Sequence, residues 1–215
     1  MALGSFFKSF RNKLKGLFRG KSGKGVIIGI YGAPNAGKSL LSNTICADWK
    51  KETLGSVSEV PHETRNVQVR QEVVLTSETG TMTLDIMDTP GLVSQVSALD
   101  LEMFYNMDPE EAKRRAKEAT EGILEAIRQL EKITGMLLVI DSTRDPLQQV
   151  NQTLLAHVRG RNLPVIIVAN KTDLPTSNVK RVEEAFGKHY PVVAISALKH
   201  DNFEKLYEEM FSRFN

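Results

Sequence analysis

One cysteine, Cys46, occurs in 215 residues, so no internal disulfide can form, which argues for a reducing compartment. No run of 18 apolar residues is present, and no segment therefore reads as spanning a bilayer. Internal repeats and zinc-ligand spacings are absent as well. Acidic residues are missing from the first 24 positions, which carry seven Lys or Arg. The formal charge of +2 thus hides a +7 segment followed by a remainder of 21 basic and 26 acidic residues, at −5. At 41% hydrophobic content the chain can bury one sizeable core, and nothing suggests a second independent one.

What is there begins with GAPNAGKS, Gly32 to Ser39. It fits G-x-x-x-x-G-K-[ST] and follows the apolar run Val26 to Tyr31, which reads as a buried strand. Gly32 and Gly37 let the backbone curl so that N–H groups around Asn35, Ala36, Gly37, Lys38, Ser39 and Leu40 form an anion nest at a helix start. Lys38 would reach the β- and γ-phosphates, and Ser39 would ligate Mg²⁺. A glycine-rich turn of no function is the competing reading, and the strand before and Leu40-Leu41 after weigh against it.

A phosphate loop leaves the base open. Asn-Lys-Thr-Asp, Asn170 to Asp173, follows the strand-like run Pro164 to Ala169 and so lies at a strand's carboxyl end, where open α/β sheets bind ligands. The Asp173 carboxylate can accept the N1 and 2-amino hydrogens of guanine, a pair that adenine does not offer. Asn170 would tie this loop to the phosphate loop, with the Lys171 stem along the ring. Leu84 to Met87 runs into Asp88-Thr89-Pro90-Gly91, placing a carboxylate to hold Mg²⁺ through water and the Gly91 N–H toward the γ-phosphate. Val192 to Ile195 leads into Ser196-Ala197-Leu198, where the Ala197 N–H is the candidate donor to guanine O6. By itself this last triplet is a weak signal; its order and position support it.

Together these segments resemble a Ras-superfold, TRAFAC-class GTPase, and within that class the Era-like branch, archaeal Era-like proteins included, over about residues 26–214. The resemblance implies binding and hydrolysis of GTP to GDP with Mg²⁺, at a low intrinsic rate, in the cytoplasm. It also implies a first-switch threonine on the Mg²⁺, which falls on Thr64; Thr44 and Thr53 also lie between the two motifs, the former helical in pattern and the latter early. Era proper continues into an RNA-binding KH domain that has no counterpart here, so ribosome binding is not expected to carry over. Ras-like enzymes place a water-orienting glutamine after the Gly91 position, whereas this chain has Leu92. In several relatives the asparagine matching Asn35 coordinates K⁺ beside the phosphates, which makes K⁺ a candidate source of the missing charge; the plain alternative is that Pro34-Asn35 only shapes the turn.

Six strand-like runs are expected, at about 26–31, 67–76, 81–87, 135–141, 164–169 and 191–196. Helical patterns separate most of them, and 67–76 with 81–87 reads as a hairpin. The fold class is therefore α/β, a P-loop, Ras-like G domain (25–215) with a mostly parallel, doubly wound sheet and one antiparallel edge strand. A final helix should pack Phe203, Leu206, Tyr207, Met210 and Phe211 on the sheet.

Residues 1–24 form an amphipathic pattern. At about 100° per residue, Leu3, Phe6, Phe7, Phe10, Leu14, Leu17 and Phe18 share one arc, flanked by Lys8, Arg11, Lys13, Lys15 and Arg19. Aromatics on one stripe with cations beside them suit an interfacial helix on anionic lipid, which gives an expected location at the inner face of a membrane. A transit peptide, a nucleic-acid contact and a helix docked on its own domain remain open. Ser22 to Gly25 reads as a flexible joint. Arf-type GTPases share the design of a helix released by GTP, and archaeal relatives are linked to vesicle formation, so the resemblance implies a nucleotide-gated role in remodelling or trafficking. The alternative is a ribosome- or RNA-associated assembly GTPase.

Between Gly91 and the strand at 135 the chain is long. Asp108-Pro109-Glu110-Glu111 is a helix start, and Ala112, Ala116, Ala119, Ile123, Ala126, Leu130 and Ile133 follow as a core-facing stripe. The extended second switch, about 92–108, carries Leu99, Leu101, Met103, Phe104, Tyr105 and Met107. These read as an effector surface, as a GTP-dependent contact between two G domains, or as a lid. Effector and exchange factor are not legible.

Overall fold

The computed structural model describes residues 26–49, 68–77, 80–88 and 108–214. Among them, six strands alternate with helices: β1 (Val26–Gly32), α1 (Lys38–Trp49), β2 (Gln68–Ser77), β3 (Gly80–Asp88), α2 (Pro109–Gln129), β4 (Gly135–Asp141), α3 (Gln149–Arg159), β5 (Val165–Asn170), α4 (Val179–Phe186), β6 (Val192–Ala194) and α5 (Phe203–Phe214). The strands form one sheet in the order β2-β3-β1-β4-β5-β6. β2 runs antiparallel to β3 at the edge, with an irregularity between Arg70 and Val73, and the other pairings are parallel. The last strand covers three residues rather than the six expected at 191–196. The Ile195 N–H still donates to Ala169 O of β5 at 2.9 Å, and from Ser196 to Asp201 the chain leaves the sheet in a loop closed by the Ser196–Asp201 bridge.

Strand side chains point alternately to the two faces, and the core divides accordingly. Ile28 and Ile30 of β1, Leu137 and Val139 of β4 and Ile166 and Val168 of β5 face one side. They pack there with Leu41 and Ile45 of α1 and with Phe203, Leu206, Tyr207, Met210, Phe211 and Phe214 of α5. Tyr31, Met136, Leu138, Ile140, Val165 and Ile167 face the other side, against Val150, Leu154, Leu155 and Val158 of α3 and Val182 and Phe186 of α4. Both faces are covered, which is why β4 and β5 are continuous apolar runs. Every β4 residue is buried. The α5 stripe recurs at three- and four-residue spacing and is buried along its length. Cys46 is half-buried and packs against the first core.

The long helix α2 starts at the acidic cap read in the sequence: the Glu110 and Glu111 N–H groups donate to Asp108 Oδ1 at 3.0 and 3.3 Å. Of the expected apolar stripe, Ala112, Leu130 and Ile133 are buried, while the side chains of Ala116, Ala119, Ile123 and Ala126 lie outside the described residues. Leu130 and Ile133 lie past the helix end at Gln129, in the turn before β4. No described helix is long and apolar enough to cross a membrane.

Candidate guanine-nucleotide site

Because β1, β3, β4, β5 and β6 run parallel, their carboxyl ends share one sheet edge. Registers set the neighbours there: Asp88 lies beside Ile30, Gly32 beside Val139, and Asp141 beside Asn170. The segments singled out in the sequence therefore meet in space because each follows a strand of that sheet.

After β1 the chain turns through three positive φ angles, +147° at Gly32, +60° at Asn35 and +97° at Gly37. A Cβ at Gly32 would lie 2.3 Å from the Val139 carbonyl oxygen, and one at Gly37 would lie 2.2 Å from Asn170 Nδ2. Glycine at these positions is thus enforced by backbone angle and by close approach. Asparagine is among the few side-chain-bearing residues that enter this region readily, so the turn itself accounts for an asparagine at 35. Its side chain is exposed. Lys38, only 6% exposed, folds back so that Nζ donates to the Ala33 carbonyl at 2.9 Å, which arches the loop around its ammonium. Leu41 N–H reaches Gly37 O at 2.9 Å, the first intrahelical bond of α1. A helix leaves its earlier N–H groups without carbonyls one turn back, and here that turn carries Ser39 and Leu40, both exposed.

Asn170 joins the loops. It is 2% exposed; Nδ2 donates to the Ala36 carbonyl at 2.9 Å and Oδ1 accepts from the Ala197 N–H at 3.0 Å. The phosphate loop, the Asn-Lys-Thr-Asp loop and the Ser-Ala-Leu loop are thereby held by one side chain. The Ala197 N–H, read as the candidate donor to guanine O6, also bonds to Asn170 Oδ1 in this structure. Lys171, read as lying along the ring, sits at φ +69° and donates through Nζ to Asp141 Oδ2 at 2.7 Å. Ser196 Oγ donates to Asp173 Oδ1 at 2.6 Å and accepts from Lys199 N–H at 3.0 Å, which fixes the carboxylate that the sequence assigned to guanine. Leu198, 69% exposed, stands at the loop's rim.

Asp141, Ser142 and Ser177 were not singled out in the sequence. Asp141 Oδ1 accepts from the Thr143 hydroxyl at 2.6 Å and the Thr143 N–H at 3.0 Å. Burial pushes the Asp141 carboxyl up, but the Lys171 ammonium and the two Thr143 donors outweigh it and hold it below its ordinary value. Ser142 donates from N–H and Oγ to the Asn170 carbonyl at 3.0 and 2.6 Å, and its Oγ contacts Ser177 Oγ at 2.8 Å. The available signal was a polar residue ending an apolar strand run, the pattern that did pick out Asp88 and Asn170.

By residue type, Ser39 at the start of α1 and Asp88 at the end of β3 are a hydroxyl and a carboxylate, oxygen donors of the kind that Mg²⁺ takes. With them a bound Mg²⁺ would neutralise charge on the β- and γ-phosphates. Thr64, Gly91 and Leu92 lie outside the described residues, as do Phe6, Phe7, Lys8, Phe10, Arg11, Leu14, Lys15, Leu17 and Phe18 and the switch segment 92–107. Among the described residues no His, Cys, Asp and Glu cluster could hold a metal by itself.

Comparison with known proteins agrees with this geometry. The sequence profile of the 50S ribosome-binding GTPase family matches residues 27–171. The tRNA modification GTPase MnmE of Syntrophobacter fumaroxidans is 30% identical over 192 residues, covering 89% of this chain and 34% of that protein. GTPase Era of Clostridium perfringens is 29% identical over 191 residues, covering 87% and 55%. The chain thus spans between a third and just over half of these relatives. Among solved structures, Era in complex with MgGDPNP and nucleotides 1506–1542 of 16S ribosomal RNA superposes with a TM-score of 0.62 at 25% identity, over 89% of this chain and 57% of that one. The G domain of the Thermotoga maritima FeoB iron transporter shares the fold, with a TM-score of 0.50 at 21% identity over 88% of this chain and 98% of that one. A fold that gathers the three loops at one sheet edge, and a family profile over two thirds of the sequence, place this chain in the 50S ribosome-binding GTPase family, with a G domain of the Era and MnmE kind.

Proposed function

We propose that the chain is a nucleotide-dependent switch in which Gly32, Asn35 to Leu40 and Lys38 Nζ hold the phosphates. In this reading Ser39, Thr64 and Asp88 surround Mg²⁺, Asp88 through water, and Gly91 senses the γ-phosphate. Asn170, Lys171, Asp173 and Ser196 to Leu198 read guanine. The observation that carries it is Asn170, whose two side-chain bonds couple the phosphate loop to both base loops. A guanine O6 entering the site would share the Ala197 N–H with Asn170. Binding of fluorescent GDP by the purified chain, competed by GTP and not by ATP, tests this directly; equal competition by ATP would overturn it.

The setting in which the switch acts has two readings. An RNA- or ribosome-associated role draws the stronger support: relatives include tRNA modification GTPases and an Era solved with a 16S ribosomal RNA segment. Membrane attachment is supported by residues 1–24 alone, where seven basic residues and no acidic ones accompany the stripe of Phe6, Phe7, Phe10, Leu14, Leu17 and Phe18. Flotation with anionic liposomes and RNA binding, each with GDP or a non-hydrolysable GTP analogue and each with and without residues 1–24, separates them. RNA binding without flotation supports the first reading; flotation needing residues 1–24 and the GTP analogue supports the second.

Asn35 carries a proposal about rate. A K⁺ held by its side-chain oxygen would supply charge that Leu92 cannot. Asn35→Gly keeps the left-handed turn while removing the amide, so hydrolysis in KCl should fall to the level seen in NaCl. An unchanged KCl to NaCl ratio would assign Asn35 to the turn alone.

A further inference from the structure

The loop from Ser196 to Asn202 is anchored at a point that the nucleotide chemistry does not explain. It is closed on itself by paired Ser196 and Asp201 backbone bonds, carries positive φ at His200 and Asn202, and is tied back to β6 by Asn202 Nδ2 donating to Ala194 O at 2.6 Å. From its tip the His200 ring reaches across to α1. Nε2 lies 2.8 and 3.0 Å from the two carboxylate oxygens of Asp48, and a carboxylate only accepts, so the imidazole donates. The ring stacks on Phe203, with centroids 4.6 Å apart and planes 5° from parallel. Tyr207 Oη donates to Asp48 Oδ2.

Asp48 is in an expensive place. It sits in the last turn of α1, where the dipole disfavours a carboxylate and where no basic residue of the helix compensates. Its side chain is only 10% exposed. Surface pairs contribute little, but a shielded carboxylate with donors from His200 and Tyr207 is a specified contact. α1 is the helix that starts at Lys38 and Ser39, and the His200 loop starts at Ser196 and Ala197. The pair therefore fastens the base-reading loop to the far end of the phosphate-binding helix, while Asn170 fastens the near end.

We propose that His200 is a positioning residue for guanine recognition: through Asp48 it holds Ser196 and Ala197, and with them the Asp173 carboxylate, at a fixed distance from the phosphate loop. The inference rests on the guanine-nucleotide reading of the site and deepens it. Without the clasp the loop samples other positions, and binding GDP must order it again, which lowers apparent affinity by the fraction of competent loops. Phosphate contacts are not touched, so the loss falls on nucleotides whose base is read.

The test uses the full chain as wild type, His200→Ala, His200→Gln, Asp48→Asn and the double variant His200→Ala with Asp48→Asn. Dissociation constants for fluorescent GDP and ADP and the nucleotide-free Tm are measured for each. His200→Ala and Asp48→Asn should each weaken GDP about tenfold, the scale of a hydrogen bond to a charged group, and leave ADP unchanged. The double variant should lose no more than the worse single one, and His200→Gln, which keeps an N–H donor, should recover most of the affinity. Equal weakening of GDP and ADP, or unchanged GDP binding in both single variants, would overturn the inference. Should His200→Ala fail to fold, Asp48→Asn and His200→Gln carry the same comparison. A wild type that does not prefer GDP to ADP would instead remove the guanine reading itself.

Discussion

Asn170 commits both side-chain atoms to backbone partners on two other loops. Asn170→Ala would leave the Ala36 carbonyl and Ala197 N–H without it, at about 2–4 kcal/mol of stability, read as a lower urea midpoint, together with loss of GDP binding. Gly37→Ala should reach the same end from the other side. Its Cβ meets Asn170 Nδ2, and its φ is left-handed, so GDP affinity should fall at least 100-fold, measured calorimetrically. Asp141 gives a pH signature. Its carboxyl is held below its ordinary value of 3.8, so the folded state binds fewer protons than the unfolded one in that range. The stabilisation is present above 3.8 and is lost as pH falls through the lower folded value. In Asp141→Asn the acid limb of Tm against pH should be shallower below about pH 5 than in the wild type; an unchanged limb would remove Asp141 from the acid response. Asp141 ends an apolar run as Asp88 and Asn170 do, but its partners, Thr143 two residues on and Lys171 thirty away, are legible only once β4 and β5 are aligned.

Elements form where pattern, cap and burial agree. α4 begins at Asn178, whose side chain accepts from Arg181 N–H at 3.0 Å; Asn178→Ala should cost about 1 kcal/mol, seen in chemical denaturation with little change in GDP affinity. α5 shows its stripe in the sequence because Phe203, Leu206, Tyr207, Met210, Phe211 and Phe214 follow the helical period and are buried against the sheet. Leu206→Ala, at a fully buried position, should cost about 2–5 kcal/mol by the same assay. β6 is the instructive difference. Its apolar run extends to Ile195, but the strand stops at Ala194, because the Ser196–Asp201 bridge and the Asn202 bond to Ala194 direct the chain into a loop. Those bonds link residues five to eight apart through positive φ angles, which hydrophobic periodicity does not encode.

At the scale of the whole molecule, binding GDP adds stability by mass action. At 100 times the dissociation constant this is about 2.7 kcal/mol, or roughly 5–10 °C in Tm for a chain of this size, and ADP at the same concentration should give far less. Equal shifts from both nucleotides would contradict base recognition. By itself the sequence determined the strand-loop-helix order and the chemistry of each loop, because phosphate cradles, strand ends and amphipathic stripes are local patterns of residue type and spacing. Only the tertiary structure decided which of those groups touch. Asn170 meets Ala36 across 134 residues, Lys171 turns to Asp141, and His200 meets Asp48 across 152. Such contacts arise from the register of parallel strands and the packing of helices on both sheet faces, which bring together residues whose separation along the chain carries no trace of the encounter.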